Sequence, residues 1–186
     1  MEIVEFRETE TLGEQAARLL FEGFKTHWPA SWPDMDAARA EVQECLAPEY
    51  IALAALSEEG ALLGWIGGRP EYDGHVWELH PLVVAPAMQG RGIGRALVQA
   101  LEAQVAERGA LTLYLGTDDE DFMTSLGGVD LYDRPLERIA AIRNLRGHPF
   151  EFYQKLGFII TGVMPDANGP GKPDILMAKR VKITNI

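Results

Sequence analysis

Apolar residues recur along this chain with two periods, and each period predicts an element. Ala16, Leu19, Leu20 and Phe24 share one helical stripe, so residues 13–24 predict a helix behind a short strand at Ile3-Val4-Glu5-Phe6. Asp36–Leu46 predicts a second helix, stopped before Pro48. The apolar runs Tyr50–Leu56 and Ala61–Arg69 predict strands joined by the turn Ser57-Glu58-Glu59-Gly60, and Trp77–Val84 predicts the next strand. Leu97, Leu101 and Val105 mark an amphipathic helix, and Leu111–Leu115 a further strand. Leu136–Leu145 predicts a helix, and Pro149 opens a short one through Leu156 with Gly157 as its stop. Phe158–Met164 and Ile175–Arg180 predict two closing strands across the turn-rich residues 165–174. Residues 122–134 show no period, and Trp28-Pro29-Ala30-Ser31-Trp32-Pro33 is too rich in proline for regular structure. Helices mixed with strands, without repeats or a linker, predict a single α/β domain over residues 1–186 around one central mixed sheet.

Composition changes this picture in two places. An apolar fraction of 47% with 24% charged residues is ordinary for a globular domain, but 28 acidic against 17 basic residues give a net charge of −11. That balance argues against a nucleic-acid partner. It serves solubility, or it draws polycations toward the surface. The single Cys45 excludes an internal disulfide and a zinc cluster. The acidic start Met1-Glu2-Ile3-Val4-Glu5 is unlike a secretory leader, and no apolar run reaches membrane-spanning length. These features predict a cytoplasmic protein with no membrane partner.

The candidate chemistry gathers around the strand Trp77–Val84 and the segments C-terminal to it. Gln89-Gly90-Arg91-Gly92-Ile93-Gly94 places three glycines in five positions at the opening of a helix, with Arg91 and Arg95 on one helical face. Free amides and the helix dipole make such an opening an anion site, so the segment reads as a phosphate cradle or as a bare strand–helix turn. It departs from the dinucleotide fingerprint and lacks the Gly-Lys-Ser/Thr of a nucleotide-hydrolysing loop. Pro81 inside a central strand predicts a bulge or a splayed edge, which frees amides such as that of Leu82 to polarise an acyl carbonyl. Glu78 and His80, two apart and so about 6.6 Å along one face, are candidates for proton handling or simply a wet face. For His80, orientation or substrate contact ranks ahead of base catalysis. Tyr153 could protonate or hold a departing thiolate, or be one more aromatic beside Phe150 and Phe152. Asp118 and Asp121, after a strand end, are candidate contacts for a cationic substrate or caps of a solvated acidic loop. Trp28 and Trp32 are candidates first for core packing and second for the wall of a substrate pocket.

The cradle resembles the pyrophosphate-binding signature of the GCN5-related N-acetyltransferase superfamily, and Tyr153-x-x-Leu156-Gly157-Phe158 resembles that superfamily's second hallmark. A closer resemblance is to the chromosomal aminoglycoside 6′-N-acetyltransferases of the enterococcal type. It is carried by Trp77–Val84, Tyr114-Leu115-Gly116-Thr117-Asp118-Asp119, His148–Tyr153, and Val163-Met164-Pro165-Asp166-Ala167-Asn168-Gly169 with Lys172-Pro173-Asp174-Ile175, in order from about Ile3 to Arg180. The resemblance implies a central mixed, mostly antiparallel sheet with a splayed strand and flanking helices, and a commonly dimeric enzyme needing no metal. It implies acetyl transfer from acetyl-CoA to the 6′-amine of an aminoglycoside by direct attack in a ternary complex. Glu78 would then be base or charge anchor beside the amine and His80 its support. The Leu82 amide would meet the thioester carbonyl, Val83, Val84, Gln89, Gly90, Arg91, Gly92, Ile93, Gly94 and Arg95 would hold the coenzyme, Asn144 would touch its pantetheine arm, and Tyr153 would face the sulfur. A polyamine or protein-amine acetyltransferase, and a non-catalytic acetyl-CoA sensor, are the competing readings.

Overall fold

Buried and half-buried side chains alternate strictly along Val76–Val84, and the elements around that strand are arranged to cover it. The computed structural model describes residues 1–7 and 10–181. In chain order these form β1 (Glu2–Glu5), α1 (Glu10–Phe24), α2 (Met35–Cys45), β2 (Ile51–Leu56), β3 (Leu62–Glu71), β4 (Val76–Val84), α3 (Ile93–Glu107), β5 (Thr112–Asp118), α4 (Pro135–Ala140), α5 (Phe150–Gln154), β6 (Ile159–Met164) and β7 (Asp174–Arg180). The strands make a seven-stranded mixed sheet in the order β1-β2-β3-β4-β5-β7-β6, which gives the α/β class expected from the pattern. The chain divides into two compact units, Met1–Leu113 with Val181, and Tyr114–Arg180.

In the first unit β1 to β4 pair antiparallel in sequence order, as short turns between them require. Ala52, Ala54, Trp65 and Val83 share one core with Ala16, Ala17 and Leu20 of α1 and Ala38, Val42 and Cys45 of α2. The small alanines let the helices lie close, and Trp65 fills the space they leave, its indole N–H donating to the carbonyl of Ala16 at 3.2 Å. Asp34 starts α2 by accepting the amide of Ala37 at 2.8 Å. On the opposite face α3 buries Ile93, Leu97, Leu101 and Val105, and the side-chain-free Gly68 makes room for Leu101.

The register of β3 and β4 slips beside Pro81. Ile66 faces Leu82 but Gly68 faces Leu79, so β4 carries one extra residue. Cross-strand partners share a face. Arg69 and Trp65 lie on one side of β3, and their partners Glu78 and Val83 lie there with them. The bulge therefore turns Glu78 and His80 toward the α2 side, while Leu82 and Val84 point to the other. Gly67 permits it, because a Cβ at that position would collide with the carbonyl oxygen of His80.

The second unit pairs β6 with β7 antiparallel and packs α5 against β7. Here the expected helix at 136–145 is cut to Pro135–Ala140. The backbone of the following residues is committed elsewhere: Arg143 and Ser125 exchange hydrogen bonds, and Leu145 donates to Met123 at 2.8 Å. Thr124 and Asn144 form an isolated antiparallel bridge at the centre of this pairing. The unperiodic 119–128 segment is organised by Asp119, which is fully buried. Its carboxylate accepts from the Met123 amide at 2.6 Å and from both the amide and hydroxyl of Thr124. No helix among the described residues is long and apolar enough to cross a membrane.

Candidate active site

The glycine-rich segment performs locally what its composition predicts. Gly90 and Gly92 both adopt positive φ, at 74° and 85°, in open surroundings, so the backbone angle rather than lack of space calls for glycine. Gly92 is the N-cap of α3, and no side chain caps that helix start. The first-turn amides of Ile93, Gly94 and Arg95 thus lack both intrahelical partners and a side-chain substitute. Ile93 is buried and anchors the turn, while Arg91 and Arg95 are exposed beside it. Gln89 donates to the carbonyl of Val84 at 3.3 Å, tying the segment to the end of β4. An uncapped helix start with two guanidinium groups beside it and no side chain over it fits a diphosphate.

On the α2 side of β4, Glu78 and His80 are both half-buried. His80 faces a carboxylate that sequence reasoning did not single out. Glu41 of α2 lies 3.4 Å from His80 Nε2, and its side chain is 14% exposed. The same carboxylate receives Arg69 Nη2 at 2.5 Å, Cys45 Sγ at 3.3 Å and the indole N–H of Trp32 at 3.4 Å. Burial alone would raise the Glu41 carboxyl. The His80 and Cys45 hydrogen bonds and the charges of His80 and Arg69 outweigh it and hold the group at about 2. Cys45 goes the other way, pushed up to about 12 by burial and by the Glu41 charge, so its thiol is no nucleophile. Trp32 is buried, with its ring 4.6 Å from that of Phe24 and 5.9 Å from the imidazole of His80, so core packing and contact with the candidate site coincide in one residue.

The second unit collects the remaining candidates. Asp118 closes β5, and its Oδ1 accepts from Asn168 at 2.5 Å. Its carbonyl accepts from Nε2 of His148 at 3.0 Å, while Nδ1 of the same ring accepts the Phe150 amide at 3.2 Å. Those two bonds define His148 as the neutral Nε2–H tautomer, and burial lowers its pKa accordingly. Asn144 clamps the 144–148 turn by exchanging two hydrogen bonds with the backbone of His148, at 2.9 and 2.8 Å. Tyr153 is buried, with its ring near those of Phe152 and Phe158, and burial drives its phenol upward. Asp121 lies 3.4 Å from Arg146. Glu120 is pushed up by burial and by the neighbouring Asp118 charge, against an opposing effect of the Lys172 ammonium.

Residues 15–134 match the acetyltransferase (GNAT) family. The chain belongs to that family. Among solved structures, an aminoglycoside 6′-N-acetyltransferase complexed with coenzyme A is 45% identical over 98% of both chains, with a TM-score of 0.89. The aminoglycoside 6′-N-acetyltransferase from Enterococcus faecium is likewise 45% identical over 98% of both chains, with a TM-score of 0.86. An aminoglycoside 6′-acetyltransferase of type Ii is 38% identical over 98% of both chains, with a TM-score of 0.72. No curated protein sequence matches the chain.

For this acetyltransferase, the signal that could have exposed Glu41 was present in the sequence. Ala38, Glu41, Val42 and Cys45 fall at positions i, i+3, i+4 and i+7, so a carboxylate stands in an apolar stripe. A charge in such a stripe requires buried partners. Arg69, at the end of an apolar strand, is one of them. His148 gave a weaker signal, since a single histidine before Pro149 looks like any loop residue.

Proposed function

We propose that residues 1–186 act as one N-acetyltransferase domain that moves the acetyl group of acetyl-CoA to the 6′-amine of an aminoglycoside. The observation that carries this reading is the 45% identity over 98% of both chains to a 6′-N-acetyltransferase solved with coenzyme A. The residues present suit that co-substrate. Gly90, Arg91, Gly92, Ile93, Gly94 and Arg95 would hold its diphosphate through backbone amides and guanidinium charge, continuing from Val83 and Val84 of β4. Bound acetyl-CoA supplies an activated acyl group whose thiolate leaves readily. The Leu82 amide would donate to the thioester carbonyl. Glu78 and His80, turned to one face by the bulge, would meet the amine as charge anchor and proton handler. Tyr153 remains protonated at any working pH because of its burial, so it would act as a hydrogen-bond or proton donor toward the sulfur. Asn144 would reach the pantetheine arm. Asp118 and Asp121 would bind other ammonium groups of the acceptor by charge attraction. Drug resistance, a cytoplasmic location and a homodimer complete the reading. A single buried cysteine suits a reducing compartment.

The test is free-thiol release from acetyl-CoA by purified protein, with tobramycin, kanamycin, spermidine and a lysine peptide as separate acceptors. Release with the aminoglycosides, with mass spectrometry placing one acetyl on the 6′-amine, is the expected result. Release with spermidine or the peptide alone would keep the transferase and discard the antibiotic. Tight coenzyme binding without release would leave a sensor. Sedimentation of the same preparation reads the oligomer.

A further inference from the structure

Glu41 collects donors from four places in the first unit: Trp32 before α2, Cys45 on α2, Arg69 on β3 and His80 on β4. Arg69 already pairs the charge of this carboxylate and is also 3.5 Å from Glu44, so charge neutralisation alone does not call for His80. The approach of His80 is therefore the informative one. A ring nitrogen meets a carboxylate as a donor, so Nε2 carries a proton in both the neutral ring and the imidazolium, and in the neutral ring the lone pair is on Nδ1. The groups facing this imidazole are Glu41 from α2, the Trp32 ring, and Glu78 on its own face of β4, with Arg69 of β3 on the same Oε1 of Glu41 that His80 approaches. Cys45 Sγ also lies 3.8 Å from the His80 carbonyl oxygen, a second acceptor that its one S–H shares with Glu41.

We propose that Glu41 is a positioning residue for acetyl transfer, holding His80 by Nε2–H so that Nδ1 accepts the proton of the incoming amine. This rests on the transferase reading above. The acceptor ammonium gives one proton to Nδ1, and Glu41 offsets the imidazolium charge that results. The freed nitrogen lone pair forms the C–N bond as the C–S bond breaks, and the electron pair leaves on sulfur. The second amine proton goes to that thiolate, so acetyl amide, free thiol and imidazolium are the products. Glu41 stays ionised throughout, since its donors hold it far below the usual carboxylate range.

The experiment uses the full chain in two arms. By nitrogen–proton correlation, wild type should show a slowly exchanging Nε2–H on His80, identified by its loss in His80→Gln and absent in Glu41→Ala. By kinetics, Glu41→Ala should lower kcat with the preferred amine about 10- to 100-fold while coenzyme affinity stays within about twofold. The double variant with His80→Gln should then be no slower than His80→Gln alone. Glu41→Asp keeps a charge for Arg69 but draws the carboxylate back, so it should show the kcat loss in a folded protein even if the alanine variant unfolds. A ring proton that exchanges freely in wild type, or losses that multiply in the double variant, would overturn the proposal. Absence of aminoglycoside turnover would overturn the substrate assignment instead, and the spectroscopic arm would still decide whether Glu41 holds His80.

Discussion

At the scale of single residues, Glu78 and Glu41 differ although both are half-buried carboxylates near one histidine. Glu41 is surrounded by donors and stays charged for that reason. Glu78 is in register with Arg69 and lies on the face of β4 that carries His80. Replacing Glu78 by Gln should lower acceptor kcat about tenfold and leave the coenzyme dissociation constant unchanged, by steady-state kinetics and titration calorimetry. Equal turnover would remove it from the chemistry. His148 supplies a pH test. Its pKa in the fold is below the ordinary 6.5, so its stabilising bonds are fully present above that value and are lost as pH falls through the lower folded value. Melting temperature should thus fall on going from pH 7 toward pH 5, and His148→Gln should flatten that slope. The loss linked to Glu41 falls later, from its ordinary 4.5 down to about 2.

At the scale of elements, two glycines decide where chemistry is placed. Gly67 lets β3 approach the His80 carbonyl at the bulge, so Gly67→Ala must push β4 away. It should cost about 1–3 kcal/mol in denaturant unfolding and reduce turnover more than coenzyme binding. Gly92 works through its backbone angle alone. Gly92→Ala at φ 85° should cost about 1–2 kcal/mol and weaken coenzyme binding, measured by calorimetry, with little change in kcat at saturation. Reversal of these two patterns would mean that the cradle and the bulge had been assigned the wrong roles.

At the scale of the whole molecule, a charge of −11 acts over distances that no single residue spans. If it steers a polycationic acceptor, the KM for tobramycin should rise steeply between about 0.05 and 0.5 M salt, where the Debye length falls below ~5 Å, while kcat changes little. A KM insensitive to salt would return the charge to solubility. The legibility of the molecule divides along physical lines. Strands, long helices, the glycine-rich helix start and the bulge at Pro81 could be read because period, glycine and proline act within a few residues. The helix expected at 136–145 failed because segment 123–125 took the backbone groups of 143–146, a competition no local pattern reveals. By itself, then, the sequence determined the element types, the glycine-rich helix start and the pairing of Glu78 with His80 on one face. The tertiary structure decided that Glu41 and Arg69, 39 and 11 residues away from His80 in the chain, stand behind that face, and that Asp119 and His148 organise the second unit. Buried charges find their partners across the fold rather than along the chain, because leaving them unpaired would cost more than any local preference can supply.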